Sequence, residues 1–184
     1  FDVLLNKGES YVVAAPFDYI QGLSVTDKFN AFNGTHVTSD KAIAMNSGSF
    51  LASYSTDGLQ DAGVDQIVPV DRLNDEFILV QGQATNSLIE TAMIVATEDN
   101  TEVFVNGNTA SSHILNTGEY AIVTGDNYIN GTMHLETSRP AMVYQNLGGS
   151  NSYATLGMVF VPGLMEEASR SVLVSGANSI GDLS

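Results

Sequence analysis

The chain has 184 residues, of which 43% are hydrophobic, enough for a domain with a sizeable apolar core. Its 6 basic and 21 acidic residues give a formal charge of −15, which argues against nucleic acid as a partner because few cations are available to neutralise phosphates. Since the chain has no cysteine, disulfides, thiol catalysis and cysteine zinc sites are excluded.

Three segments of the first half of the chain return in the same order in the second half. They are LNKGESYVV at 5–13 with LNTGEYAIV at 115–123, NGTHVTSDKAIAM at 33–45 with NGTMHLETSRPAMV at 130–143, and IVPVDRLNDEFILV at 67–80 with VFVPGLMEEASRSVLV at 159–174. This order predicts an internally duplicated unit of about 100 residues, with copy one at about 1–90 and copy two at about 91–184.

We expect the two copies to pack about a pseudo-twofold axis over one apolar core, because no Pro/Ser-rich linker separates them. Residues 1–184 would then form a single duplicated domain, and two sandwiches in tandem are the alternative. Phe1 lies inside copy one, at the position that aligns with about Ser111 of copy two. We therefore expect the chain to be excised from a larger protein.

Short runs rich in β-branched and aromatic residues alternate with glycine-containing stretches along the chain, as is typical of strands. The predicted strands are 10–15, 36–39, 42–46, 77–81, 91–97, 102–107, 110–115, 120–124, 133–137, 141–145 and 171–175. Helical turns are indicated at 70–77 and 164–171, in matching places of the two copies. The pattern favours an all-β, β-sandwich-like fold with short helical turns.

The runs at 91–97 and 102–107 flank a polar stretch, Glu98 to Thr101, and predict a β-hairpin. We expect side chains of this stretch to bond local backbone amides. Asn106-Gly107 predicts a second tight turn into 110–115, which would complete a three-stranded meander.

No apolar run approaches the roughly 20 residues that span a bilayer, so no membrane insertion is expected.

The segments ETAMIVATEDNTEVFVNG at 90–107, LNTGEY at 115–120, NGT at 130–132 and TSRPAMVYQ at 137–145 carry a resemblance to a known family. With them the chain resembles the IgGFc-binding protein N-terminal domain family, whose members combine such a hairpin with an L-x-x-G-E-x-Y strand and a G-x-x-I-x-S-x-K-P-x-x-V block. Many relatives carry a cysteine in a G-x-C-D-H element, where this chain has AGVDQ at 62–66. A disulfide of that kind is therefore absent.

The resemblance implies an extracellular module of a large mucus-associated or bacterial surface protein of adhesin type. Antibody binding, which the family's title names, is attached to no motif of this chain and is not carried over.

Asp57, Asp61 and Asp65 lie in a glycine-containing loop and offer the carboxylate oxygens that Ca²⁺ prefers. Their spacing does not match an EF-hand, and exposed carboxylates of this kind are usually solvated. These three residues are the candidate metal ligands, and Ca²⁺ is the one cofactor considered.

The histidines His36, His113 and His134 are assigned structural or surface roles, because a metal or catalytic role would need two of them to converge with a carboxylate. Lys41 and Arg139 occupy matching places in the two copies, where each would pair with a nearby acid. The candidates for these acids are Glu9 and Glu119, which are themselves expected to stabilise turns.

Asn-Gly turns are expected at 33–34 and 130–131, where both sequences also form N-glycosylation sequons.

We therefore expect a non-enzymatic, extracellular binding or adhesion module of a large surface protein. Its ligand would be a glycan, a protein or a neighbouring domain of the same chain. One alternative is a structural spacer without a ligand of its own. The other is a carboxylate-dependent hydrolase near residues 57–65, although the HExxH, GxSxG and GxxxxGK[ST] patterns are absent.

Overall fold

The computed structural model describes residues 1–14, 32–52, 61–84, 87–148 and 155–164. These residues form nine strands: β1 (Asn46–Ala52), β2 (Asp61–Gln66), β3 (Asn74–Val80), β4 (Ala92–Ala96), β5 (Thr101–Val105), β6 (His113–Leu115), β7 (Tyr120–Val123), β8 (Thr132–Gly148) and β9 (Thr155–Phe160). Their helical structure consists of the 3₁₀ turns Val70–Arg72 and Gly125–Asn127. The predicted all-β class is confirmed.

The 17-residue strand β8 lies at the centre of a seven-stranded antiparallel sheet. Leu135 pairs with both Phe77 of β3 and Val105 of β5, so β3 and β5 lie on opposite edges of β8. Tyr144 likewise pairs with both β9 and β4. Ala141 pairs with both β3 and β4, which places β3 and β9 along one edge and β5 and β4 along the other. β6 then adjoins β5, β7 adjoins β4, and β1 and β2 form a separate antiparallel pair.

β8 changes register in its middle. Asn74 of β3 pairs with Ala141 of β8, whereas Glu76, two residues later, pairs with Glu136. β8 therefore has extra residues between these two pairs, and its side chains at 138–140 are exposed. Extra residues in one strand of a pair bend that strand. The inner faces of both ends of β8 and of the strands around it therefore contribute to one apolar cluster: Phe77, Leu79, Ala92, Ile94, Ala96, Val103, Val105, Leu115, Ala121, Val123, Met133, Leu135, Ala141, Val143 and Val161.

The predicted hairpin between 91–97 and 102–107 is wrong in its pairing. Both runs are strands, but β4 pairs with β7 and β8, and β5 pairs with β6 and β8. The two strands follow one another along the same edge of β8, from Ala96 opposite Ala141 to Val103 opposite Thr137. The stretch 97–100 crosses the bend of β8 instead of closing a hairpin. The predicted pairing of 102–107 with 110–115 is confirmed.

Other predicted strands have mixed outcomes. Strands at 77–81 and 120–124 are confirmed, and 133–137 and 141–145 are parts of the single strand β8. The described parts of 10–15 and 36–39 are not strands, and 42–46 is strand at its last residue alone. The helical turn predicted within 70–77 is the 3₁₀ turn Val70–Arg72. Residues 171–175, and 164–171 beyond Leu164, lie outside the described residues.

The first repeated segment forms the same turn at both of its places in the chain. The N–H of Glu9 donates to the carbonyl of Asn6, and the N–H of Asn6 donates to the Glu9 carboxylate over 2.8 Å. Glu119 and Asn116 make the same two bonds, the second over 2.7 Å. The glycine before each glutamate has a positive φ, 89° at Gly8 and 82° at Gly118. The predicted turn-stabilising role of both glutamates is confirmed.

The Asn-Gly turns also match: Thr35 N–H bonds the carbonyl of Phe32, and Thr132 N–H bonds that of Ile129. The two halves of the chain differ after the Asn-x-Gly-Glu turn. The second turn is followed by β7, whereas residues 10–14, which follow the first turn, are exposed and do not form a strand. The internal duplication, its copy boundaries and the shared core stay predictions.

Candidate binding face and metal centre

The three predicted calcium ligands are only partly within the described residues. Asp57 lies outside them, and Asp61 begins β2 with its side chain outside them. Asp65 lies on β2 and accepts the N–H of Gln66 at Oδ1 and the N–H of Phe160 at Oδ2, each over 2.7 Å. The N–H of Val161 donates to the carbonyl of Val143 on β8. Successive N–H groups of a strand point to opposite sides, so the N–H of Phe160 points away from β8. Asp65 thus joins β2 to the free edge of β9, and the calcium site stays a prediction.

The part of the sheet formed by β3, β5, β6 and the first half of β8 presents one side to solvent. Side chains alternate along each strand, so the residues between the core positions share this side. We call it the outer face, and it comprises Glu76, Ile78, Val80, Glu102, Phe104, Ile114, Thr132, His134 and Glu136. Apolar and acidic side chains therefore stand next to each other on a solvent-facing surface.

A histidine and two carboxylates converge at the centre of the outer face. Glu76 and Glu136 are directly opposite each other on β3 and β8, and His134 is two residues before Glu136. Nε2 of His134 lies 3.0 Å from Oε1 of Glu76. One ligand atom from each of the three side chains lies within 4.8 Å of the other two. Among the described residues, this is the group of three His, Cys, Asp or Glu side chains whose ligand atoms lie close enough to hold one metal ion.

Asn106 holds the backbone of β8 at this cluster. Its Oδ1 accepts the N–H of His134 over 3.0 Å, and its own N–H donates to the His134 carbonyl over 2.8 Å. The side-chain amide of Asn106 also donates to the carbonyl of Asn127 over 2.7 Å. Asn106 has a φ of 54°, a conformation that asparagine tolerates at Asn-Gly turns. The turn predicted at Asn106-Gly107 thus positions a site residue.

Sequence reasoning missed this cluster because it required two converging histidines. The available signal was the His134-x-Glu136 spacing within a strand, which puts both side chains on one face. Glu76 is 58 residues from His134, and no local pattern joins them. His36 and His113 are exposed.

A serine–histidine contact at β6 does not form a catalytic arrangement. Nδ1 of His113 lies 3.1 Å from Oγ of Ser112, the residue next to it in the chain. The Ser112 hydroxyl donates to the carbonyl of Val103 over 3.0 Å, so its proton is already used. A nucleophilic serine needs its hydroxyl proton directed to a base.

The predicted partners of the matching cations are wrong. Arg139 pairs with Glu98 over 2.8 Å, and the carboxylate of Glu119 accepts the N–H of Asn116 within its own turn. Lys41 makes no ion pair with Glu9, whose carboxylate bonds Asn6 in the same way. The carboxylates of Glu9 and Glu119 each bond the backbone of their own turn.

Asp99 departs from the expectation that this stretch bonds local amides. Its Oδ1 accepts the backbone N–H of Thr117 over 2.9 Å and the Thr117 hydroxyl over 2.7 Å. These bonds lower the pKa of Asp99, and the charge of Arg139 lowers it a little further. The corner between β4 and β5 is thereby joined to the turn between β6 and β7.

A model of the IgGFc binding protein family matches residues 1–179. The chain belongs to this family. The predicted resemblance is confirmed, and the segments that carried it form β4, β5, the Asn116–Glu119 turn, β7 and β8. The searches of curated proteins and of solved structures found no match. In the described residues of this family member, no helix has the length and apolarity needed to cross a bilayer.

Proposed function

We propose that this chain is a non-enzymatic, extracellular binding module of a larger surface protein and that a protein ligand docks on the outer face. Membership of a family described as a binding protein supports the general role. The observation that carries the assignment of the face is its unusual mixture of exposed apolar and acidic side chains.

The apolar residues of the outer face are well exposed for a sheet in water. Ile78 is 41% exposed, Val80 65% and Ile114 62%. Antiparallel sheets that face solvent usually carry polar side chains at such positions. Clusters of exposed apolar residues among polar ones are typical of protein interaction sites. The outer face therefore has the composition of a docking surface.

Charge determines which partner suits this surface. The outer face carries Glu76, Glu102 and Glu136, and the whole chain has a formal charge of −15. A complementary partner presents lysine or arginine next to apolar side chains, which increases the association rate and orients the encounter. A basic, partly apolar protein surface is the partner chemistry that we infer.

The face favours a protein over a glycan. Sugars bind to aromatic platforms edged by polar groups, whereas Phe104 is the one aromatic residue among those that define the outer face. Two depressions of the described residues, one next to Tyr120 and one next to Phe160, are open and lie outside the outer face. A flat surface of aliphatic and acidic side chains fits the side of a folded protein.

The proposal is tested by measuring the binding of immobilised chain to the Fc fragment of immunoglobulin G and to a glycan array, with lysozyme as a basic protein that tests for non-specific attraction. The variants Val80→Lys and Ile114→Lys should abolish binding of a protein found in this way. Val70→Lys, at a 51% exposed residue outside the outer face, is the matched control and should bind like the parent chain.

Three results would decide against parts of the proposal. Binding that survives both outer-face variants would move the site elsewhere. A ligand found on the glycan array alone would make the ligand class wrong. If neither the Fc fragment nor any glycan binds above the lysozyme level, the spacer alternative is favoured.

A further inference from the structure

We propose that Glu76, His134 and Glu136 bind a divalent transition-metal ion of the Zn²⁺ type. This inference goes beyond the proposed docking function, because it assigns a metal to residues that the family description does not mention. It stands on strand register, interatomic distance and ligand chemistry.

Among the described residues, the β3–β8 register brings two negative charges together without a fixed cation beside them. Glu76 and Glu136 are directly opposite on antiparallel strands, where like charges destabilise the pair. Arg139, the nearest arginine along β8, is paired with Glu98. Within the described cluster, the imidazole of His134 is the group that contacts a carboxylate. A divalent cation between the three side chains would remove the repulsion.

The distances suit a metal after a small side-chain adjustment. Zn–N and Zn–O bonds of about 2.0–2.2 Å in a tetrahedron place the ligand atoms about 3.3–3.6 Å apart. The three ligand atoms lie within 4.8 Å of one another, and the His134–Glu76 pair is already at 3.0 Å. The side chains of Glu76 and His134 are 47% and 31% exposed, so they have room to turn. The backbones stay fixed by the β3–β8 pairing and by Asn106.

The ligand set selects the metal. One imidazole nitrogen and two carboxylates suit Zn²⁺ and its first-row neighbours, whereas Ca²⁺ and Mg²⁺ prefer oxygen ligands alone. Three protein ligands leave a position for water or for a donor from a docked partner. Because the cluster lies between Ile78 and Phe104 on the outer face, such a partner could reach the ion.

The test is a Zn²⁺ titration of tag-free chain, freed of metal with EDTA and dialysed, followed by isothermal titration calorimetry. We expect one ion per chain and a Zn²⁺-dependent rise of Tm, since the ion binds the folded form. Each of the variants Glu76→Gln, His134→Gln and Glu136→Gln should weaken Zn²⁺ binding at least about 10-fold and remove the rise of Tm. His113→Gln and Asp126→Asn, at exposed residues outside the cluster and outside the outer face, are the controls and should bind Zn²⁺ with the affinity of the parent.

A Tm measured in EDTA shows whether each variant folds, and Glu136→Gln should keep or raise it because a like-charge pair is lost. Unchanged Zn²⁺ affinity in a folded His134→Gln or Glu136→Gln variant would refute the site. Equal affinity for Ca²⁺ would refute the transition-metal assignment. Repeating the Fc-fragment and glycan binding measurements in EDTA separates the proposed metal site from the proposed docking function, because docking on the outer face does not require the ion.

Discussion

The carboxylate of Glu90, a residue only 1% exposed, accepts the backbone N–H of Gly82 over 2.6 Å. Its other oxygen accepts the N–H of Ala84 over 2.9 Å. A buried charge is costly unless hydrogen bonds replace its hydration, and bonds to a charged acceptor are the stronger kind. Glu90 therefore holds the connection between β3 and β4 against the start of β4.

Glu90→Gln should lower the free energy of unfolding by about 1.5–3 kcal/mol, because the amide NH₂ would face a backbone N–H and leave a buried donor unpaired. Urea denaturation followed by circular dichroism measures the change. Glu102→Gln, on the outer face, is the control and should stay within about 0.5 kcal/mol of the parent. An equally small effect at Glu90 would mean that the connection opens to water.

Replacing Asp99 should give a pH-dependent loss of stability. Its pKa is lowered chiefly by the Thr117 N–H and hydroxyl, so the fold prefers the ionised form. This stabilisation is present above the unfolded pKa of about 3.9 and is lost as the pH falls through the lower folded pKa.

We therefore expect Asp99→Asn to melt at a lower temperature than the parent from pH 5 upwards, with the two Tm values converging below about pH 4. Thermal melts between pH 7 and pH 2 measure this, with the exposed Asp126→Asn as control. A difference that is constant over this range would show that the carboxylate charge has no part in the contact.

Gly34→Ala should disturb the contact between two turns from different halves of the chain. Gly34 has a φ of 76°, and an added Cβ would overlap the carbonyl of Gly118. Gly107 has a similar φ of 71°, but no atom lies within 4 Å of an added Cβ there. Gly107→Ala therefore measures the backbone strain alone, about 1–2 kcal/mol.

The free energy of unfolding of Gly34→Ala should fall below that of Gly107→Ala by at least a further 1 kcal/mol, approximately the lower cost of overpacking. Chemical denaturation of the two variants gives the comparison. Equal losses would indicate that the turn at 32–35 does not pack on the turn at 116–119 in solution.

Two tyrosines should make the fold sensitive to alkali. Burial, with a smaller contribution from the charge of Asp65, raises the pKa of Tyr144 to about 12. Burial and the charge of Glu90 raise that of Tyr128 to about 12 as well. Because the folded pKa lies above the unfolded one, stability should be complete below about pH 10 and fall as the pH rises towards 12.

Tyr144→Phe should reduce this alkaline loss. At pH 7 it should raise the free energy of unfolding by up to about 1 kcal/mol, because the Tyr144 hydroxyl is buried without a partner in the described residues. Denaturation at pH 7, 10 and 11.5 measures both effects, and Tyr11→Phe at an exposed position should show neither. A large destabilisation at pH 7 would reveal a hydrogen bond to the hydroxyl in solution.

Local patterns predicted turns better than pairing. The Asn-x-Gly-Glu turns follow from residues three positions apart, and their hydrogen bonds close within the turn itself. The runs at 91–97 and 102–107 were correctly predicted as strands, since their enrichment in β-branched and aromatic residues is visible within a few positions. Their pairing as a hairpin was wrong, because β8 offers both strands a partner at once, some forty residues later in sequence.

The sequence by itself determined the all-β class, the family, most strands of the second half and the turns, because each depends on residue types within a few positions. The tertiary structure alone decided that β8 is the central strand and that Glu76 meets His134 and Glu136. The physical reason is that strand edges are chemically alike, so their pairing depends on which arrangement buries the inner faces together, and the side chains that meet on the outer face follow from that choice.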